Sequence, residues 1–225
     1  MLSKTAAMAA LVAAAISPPT RAATPSQMSA QARVSKTTVT HDELRTRVRL
    51  RGRPAYVGSD RFVLGGTADA EIHVFVDAGP SKQVRRLFWI QFERYLPSRP
   101  DLSFDYSANR RMVVDGSVTW VRAVPRDTSL PARAGSDRDR VLSLLGRAGY
   151  SLPAAMMDVR MVQVLDDPSG TGKGREELMI IYAEDLASTG ATLSDLGDGS
   201  GGNEAWTRLS DPLVHRAMAS VEIAR

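Results

Sequence analysis

The sequence predicts an α/β domain with a mixed sheet and helices on both of its faces. Three observations carry that expectation. The chain has 225 residues and a mass of 24.4 kDa, enough for one domain plus appendages. Its 43% hydrophobic and 24% charged content is that of a globular protein, which excludes collagenous, fully disordered and multi-span membrane classes. From Glu71 onward, strand-like and helix-like periodicities follow in the order strand-helix-strand-helix-strand-strand-helix. A strand, a helix and another strand in succession imply a parallel, right-handed crossover. The two adjacent strands near the end then add an antiparallel hairpin.

Residues 1–22 precede the domain. Lys4 supplies a positive charge, residues 5–17 (TAAMAALVAAAIS) are small and apolar, and Pro18 and Pro19 break any helix. Thr20-Arg21-Ala22 offers a small-x-small cleavage site. This is the pattern of a secretory signal peptide whose apolar core is too short to span a bilayer. It implies a periplasmic or secreted location. Residues 23–56 read as a flexible leader and basic arm, and residues 57–225 as the folded domain. Within the arm, Arg45, Arg47, Arg49, Arg51 and Arg53 alternate along RTRVRLRGR. On an extended strand all five share one face, which either contacts an acidic or phosphate-bearing partner or is a solvated edge that discourages aggregation.

Residues 57–66 predict a strand ending at a Gly65-Gly66 turn. Residues 71–77 (EIHVFVD) predict a buried strand with Ile72, Val74 and Val76 on one face and His73 on the other. Gly79-Pro80-Ser81 then opens a predicted helix that runs to Leu96 and stops before Pro97. Val84, Leu87, Phe88, Gln91 and Tyr95 form a stripe at helical spacing, which Trp89, Ile90 and Phe92 widen past half the circumference. A helix that apolar is either covered on two sides or presents an aromatic face to a partner. Residues 102–106 are a short extended piece, and Asp115-Gly116 is a turn into a strand over 117–124. Residues 136–147 predict a helix capped by Ser136, with Val141, Leu142, Leu144 and Leu145 as its apolar face. Residues 156–165 and 178–186 predict an antiparallel hairpin, residues 197–203 a flexible loop, and residues 204–221 one or two helices.

Two stretches resemble a known family. Residues 62–87 (FVLGGTADAEIHVFVDAGPSKQVRRL) resemble the entry into the catalytic domain of periplasmic disulfide isomerases of the thioredoxin superfamily. There, a Gly turn and an Asp-Ala precede a strand ending Val-Phe-x-Asp, matched here by Val74-Phe75-Val76-Asp77. Residues 118–126 (VTWVRAVPR) are similar to that family's second strand. The resemblance implies a thioredoxin-like fold. It also implies a polypeptide-binding groove beside Pro80, Ser81, Lys82 and Gln83, where the family carries its C-x-x-C, with Pro153 standing for the facing cis-proline. The chain contains no cysteine. Thiol–disulfide exchange needs a thiolate, so the redox activity is absent.

The expected function is therefore that of a non-redox protein-binding or assembly component of the cell envelope, of the kind found in conjugation and type IV secretion machinery. No catalysis and no cofactor are expected. The contact residues are Pro80–Gln83 and Pro153, with Trp89, Phe92, Tyr95, Arg47, Arg49 and Arg51 as a further interface. The partner is an envelope protein or an extended polypeptide. A net charge of +4 does not argue for nucleic acid, and no transmembrane segment remains after cleavage. The alternatives are a chaperone-like holder of unfolded chains and a hydrolase or metal-dependent enzyme using loop acids. For the latter, Asp195, Asp198, Asn203 and Glu204 offer oxygen ligands, though without EF-hand spacing. Gly170-Thr171-Gly172-Lys173-Gly174 lacks phosphate-loop spacing and reads as a hairpin loop. Met156, Met157, Met161 and Met179 read as core.

Overall fold

Where the sequence predicts a helix springing from Pro80, the chain instead makes its longest strand, Val84–Tyr95. A computed structural model describes residues 28–197 and 203–225. In chain order the elements are β1 (Arg33–Ser35), β2 (Thr38–His41), β3 (Thr46–Leu50), β4 (Ala55–Leu64), β5 (Ala68–Ala78), β6 (Val84–Tyr95), β7 (Phe104–Asp105), β8 (Arg110–Val114) and β9 (Ser117–Asp127). There follow α1 (Asp137–Arg147), β10 (Ala155–Val164), β11 (Lys173–Gly174), β12 (Glu176–Asp185), a 3-10 turn (Leu186–Thr189), α2 (Leu193–Leu196), α3 (Glu204–Ala219) and β13 (Val221–Ala224). The 5–17 run, the cleavage site and Asp198 lie outside the described residues.

The strands form a seven-stranded sheet in the order β4-β5-β6-β12-β10-β9-β8, a four-stranded sheet β1-β2-β3-β13 and a small β7-β11 pair. Every ladder among them is antiparallel. This overturns the thioredoxin-like α/β expectation, which needs a parallel crossover. The resemblance of residues 62–87 extends only to the β4–β5 hairpin. The strand ending Val-Phe-Val-Asp is present, but the chain after it reverses instead of entering a helix. Lys82 has φ 59 and Gly79 N–H donates to the Gln83 carbonyl at 3.1 Å, so Pro80–Gln83 close a β5–β6 turn. Residues 118–126 fall in β9, which pairs antiparallel with β8 and β10.

The physical reason lies in what β6 buries. Phe88, Ile90 and Phe92 enter one core, while Leu87 and Trp89 enter the other. A segment apolar on both sides of a pleat satisfies two facing layers, and its aromatic and β-branched content suits a strand. Helical spacing of the same residues is a by-product of an almost continuous apolar run. Residues 33–50 are likewise strands rather than a leader, because Thr46, Val48 and Leu50 bury one face of β3 while Arg47 and Arg49 face out.

On one face of the large sheet, α3 and the four-stranded sheet cover Phe75, Phe88, Ile90, Met157, Val159, Ile180 and Tyr182, with Trp206, Leu213, Val48 and Ile223 packed opposite. On the other face, α1 lies over β4 and β5. Ser136 caps α1 by accepting from the Asp139 N–H, and Val141, Leu144 and Leu145 point down. A bulge at Tyr56/Gly58 lets the helix come close. A Cβ on Gly58 would stand 3.1 Å from Leu144 Cδ2. Because α1 reaches only one side of the sheet, the same face over β12, β10 and β9 is left open beside it.

Candidate functional site

That open region is a cleft of about 360 Å³ between α1 and strands β6, β12, β10 and β9. The register states its composition row by row. One row across the sheet reads Val74, Trp89, Ile181, Arg160, Arg122. The next reads Val76, Leu87, Ala183, Asp158, Val124. Both rows are apolar under α1 and become charged towards β9. Met156, Met179 and the half-buried Val124, Leu142 and Leu152 complete an apolar floor and wall. Arg122, Arg126, Arg138 and Arg160 border it, against the acids Asp137 and Asp158.

The charged groups are held in different ways. Burial pushes the Asp158 carboxyl up, and the Arg126 guanidinium, diagonally placed and ion-paired to it, opposes that shift. Arg138 is tied to the Thr128 carbonyl at 3.2 Å. Arg160 donates to the Tyr106 hydroxyl at 2.8 Å and stacks over its ring at 5.2 Å, yet its buried Nε has no partner. Arg122 is exposed and makes no ion pair among the described residues. Arg122 and Arg160 stand directly opposite each other across β9 and β10. Like charges so placed destabilise a sheet unless an anion lies between them.

The same face continues away from the cleft into a buried polar patch. Glu93 and Glu177 are direct cross-strand neighbours. Trp89 Nε1 donates to Gln91 Oε1 at 3.0 Å, and Gln91 Nε2 donates to Glu93 Oε2 at 2.7 Å. Burial raises the Glu93 carboxyl, an effect that the Gln91 hydrogen bond opposes. Burial, reinforced by the Glu93 charge, pushes Glu177 up to about 8, and one of its oxygens has no partner. Burial also raises the Tyr106 phenol.

On the opposite face, Glu71 Oε1 lies 2.9 Å from His73 Nε2, and Tyr56 Oη lies 3.4 Å from His73 Nδ1. Glu71 also accepts the N–H groups of Gln31 at 2.7 Å and Ala32 at 2.9 Å. Burial works against the Glu71 charge, but these contacts outweigh it and hold the carboxyl below its ordinary range. His73 is fully buried, and burial raises the Tyr56 phenol, so the hydroxyl is a poor nucleophile. The cluster clamps residues 31–32 onto β5.

The sequence-predicted contact residues fall in several places. Pro80, Ser81, Lys82 and Gln83 form the exposed β5–β6 turn. It does meet the segment before Pro153: Gln83 bridges Ser151, and Lys82 Nζ donates to the Ala148 carbonyl at 2.9 Å. Pro153 itself is buried, and the structure forms no cleft between it and the turn. Trp89 and Phe92 are buried on opposite faces of β6, Trp89 in the cleft floor and Phe92 against the His41 ring at 4.8 Å. Tyr95 stacks on Phe104 at 4.4 Å. Arg47 and Arg49 lie on the outer face of the small sheet, with Arg51 exposed just past the end of β3. Of the loop acids, Asp195 closes the capping box of α2 and Asn203 caps α3, and among the described residues no group of three His, Cys, Asp or Glu is arranged for a metal. Sequence reasoning missed Arg122, Arg126, Asp158 and Arg160. The signal was present in β10, where Asp158 and Arg160 break an apolar run (AMMDVRMVQV) at a spacing of two.

The chain is thus an antiparallel two-sheet α+β protein with an arginine-bordered apolar cleft on one face of its large sheet. No protein-family model matches it, no curated protein is significantly similar, and no solved structure matches its fold. Among the described residues no helix is long and apolar enough to cross a membrane.

Proposed function

We propose that the protein is a non-catalytic binding component whose contact site is this cleft. Its partner is a polypeptide segment of the cell envelope, the compartment that the N-terminal sequence suggests, combining apolar side chains with acidic residues. The observation that carries this reading is the Arg122–Arg160 pair, two opposed guanidiniums at the edge of an apolar floor. An acidic side chain bridging them relieves their repulsion, while its apolar neighbours fill the floor over Trp89 and Ile181. A polypeptide fits better than a single-headed amphiphile because the cations are spread out. Arg122 and Arg126 are four residues apart on β9, about 13 Å.

The test is selection of peptides from a displayed library on the purified protein, followed by fluorescence anisotropy of the enriched sequences. Mixed acidic and apolar peptides are expected, with binding weakened roughly tenfold or more by Arg122→Glu. Enrichment of basic peptides, no enrichment, or an Arg122→Glu variant that binds like the wild type refutes the assignment. Displacement of bound peptide by a fatty acid, with tighter binding of that acid, replaces the polypeptide by an acyl amphiphile.

A further inference from the structure

The cleft leaves the arginine stripe of the small sheet unused. The β1-β2-β3-β13 register places Arg33, Thr40, Arg47 and Ala224 in one outward row, and Ser35, Thr38, Arg49 and Glu222 in the next. Arg45 and Arg51 continue the alternation of β3 at either end and are exposed. Two of these arginines are neutralised, Arg33 by Asp42 at 2.6 Å and Arg49 by Glu222. Arg45, Arg47 and Arg51 make no ion pair among the described residues. The rest of this outward face is Ser, Thr and Ala. It carries no aromatic or large apolar side chain, the anchors that protein interfaces depend on, and no ring on which a nucleic-acid base could stack.

We infer that this face docks on an anionic phospholipid bilayer. A sheet face with small residues between its arginines is broad and shallow, and guanidiniums two residues apart on one strand recur at about 7 Å. Such a surface meets a plane of phosphate headgroups without needing a pocket. The attraction is electrostatic, adds up over the three free arginines, and is screened by salt. The apolar cleft lies on the far face of the large sheet, so docking leaves it open.

The experiment is vesicle flotation of the purified protein with phosphatidylglycerol-containing or pure phosphatidylcholine vesicles, at low and high salt. The wild type is expected to float with the anionic vesicles only, and to be released by high salt. Arg47→Ser/Arg51→Ser is expected to lose roughly tenfold or more in binding, with an unchanged circular dichroism melting curve. Arg133→Ser/Arg147→Ser, which removes the same charge from exposed positions elsewhere, is expected to bind as the wild type does. Equal binding to phosphatidylcholine, salt-insensitive binding, or equal losses in the two double variants overturns the inference. So does failure to float combined with retention on an acidic polypeptide, which assigns the face to a protein partner. None of these outcomes depends on the cleft.

Discussion

Glu177 makes the pH dependence of stability calculable. Its carboxyl lies buried beside Glu93, and its pKa stands at about 8 against an ordinary 4.5. Between those values the folded chain keeps a proton that the unfolded chain has lost. Stability contributed by this site is therefore complete below about pH 4.5 and declines as pH rises, levelling off above about pH 8. At about 1.4 kcal/mol per pH unit, the total decline is on the order of 5 kcal/mol. That is a large part of the roughly 5–15 kcal/mol that holds a domain together. The perturbation is Glu177→Gln, which keeps the shape and removes the charge. Urea unfolding followed by tryptophan fluorescence, from about pH 5 to about pH 9, measures the effect. The variant is expected to match the wild type within about 1 kcal/mol at the acid end and to exceed it by several kcal/mol at the alkaline end. A wild type whose stability rises across this window, or a variant that keeps the full wild-type slope, refutes the reasoning.

Phe92→Ala removes a buried ring from the core beneath the small sheet and is expected to cost about 3–5 kcal/mol, read as a lowered urea midpoint with unchanged slope. Ser136→Ala removes the side-chain cap of α1, the wall of the cleft, and is expected to cost about 1 kcal/mol. Calorimetry checks it, and peptide binding should weaken along with stability if α1 holds the cleft in shape.

Some of the fold is legible in single residues. Ser136 and the Val141, Leu144, Leu145 triplet announce α1, because a cap and an apolar stripe are local features. Asp115-Gly116 announces the β8–β9 turn, with both residues at positive φ as a type I′ turn requires. The arginine alternation of β3 is legible for the same reason: a period of two depends on the strand alone. What misleads is β6. A run that is apolar on both faces fits the helix and strand templates equally, and Pro80 suits a turn as well as a first helical position. Reading that run as a helix created the crossover, and the crossover created the family resemblance. The cleft is illegible for a deeper reason. Arg122 and Arg160 belong to different strands, and nothing near either residue states that they will face each other. Their opposition follows from register, which long-range packing sets.

The last strand, β13, completes the sheet begun by β1–β3, lying against β3 with Val221 opposite Leu50 and Ile223 opposite Val48. A ribosome has therefore made nearly the whole polypeptide before the first-made hairpin can acquire its final neighbour. Until then β3 waits with a naked edge, open to strangers as well as to kin. Removing residues 221–225 should leave the central layer standing while making the protein prone to clump through that unfilled seat, and anything fused after Ala224 will sit at the doorstep of the arginine face.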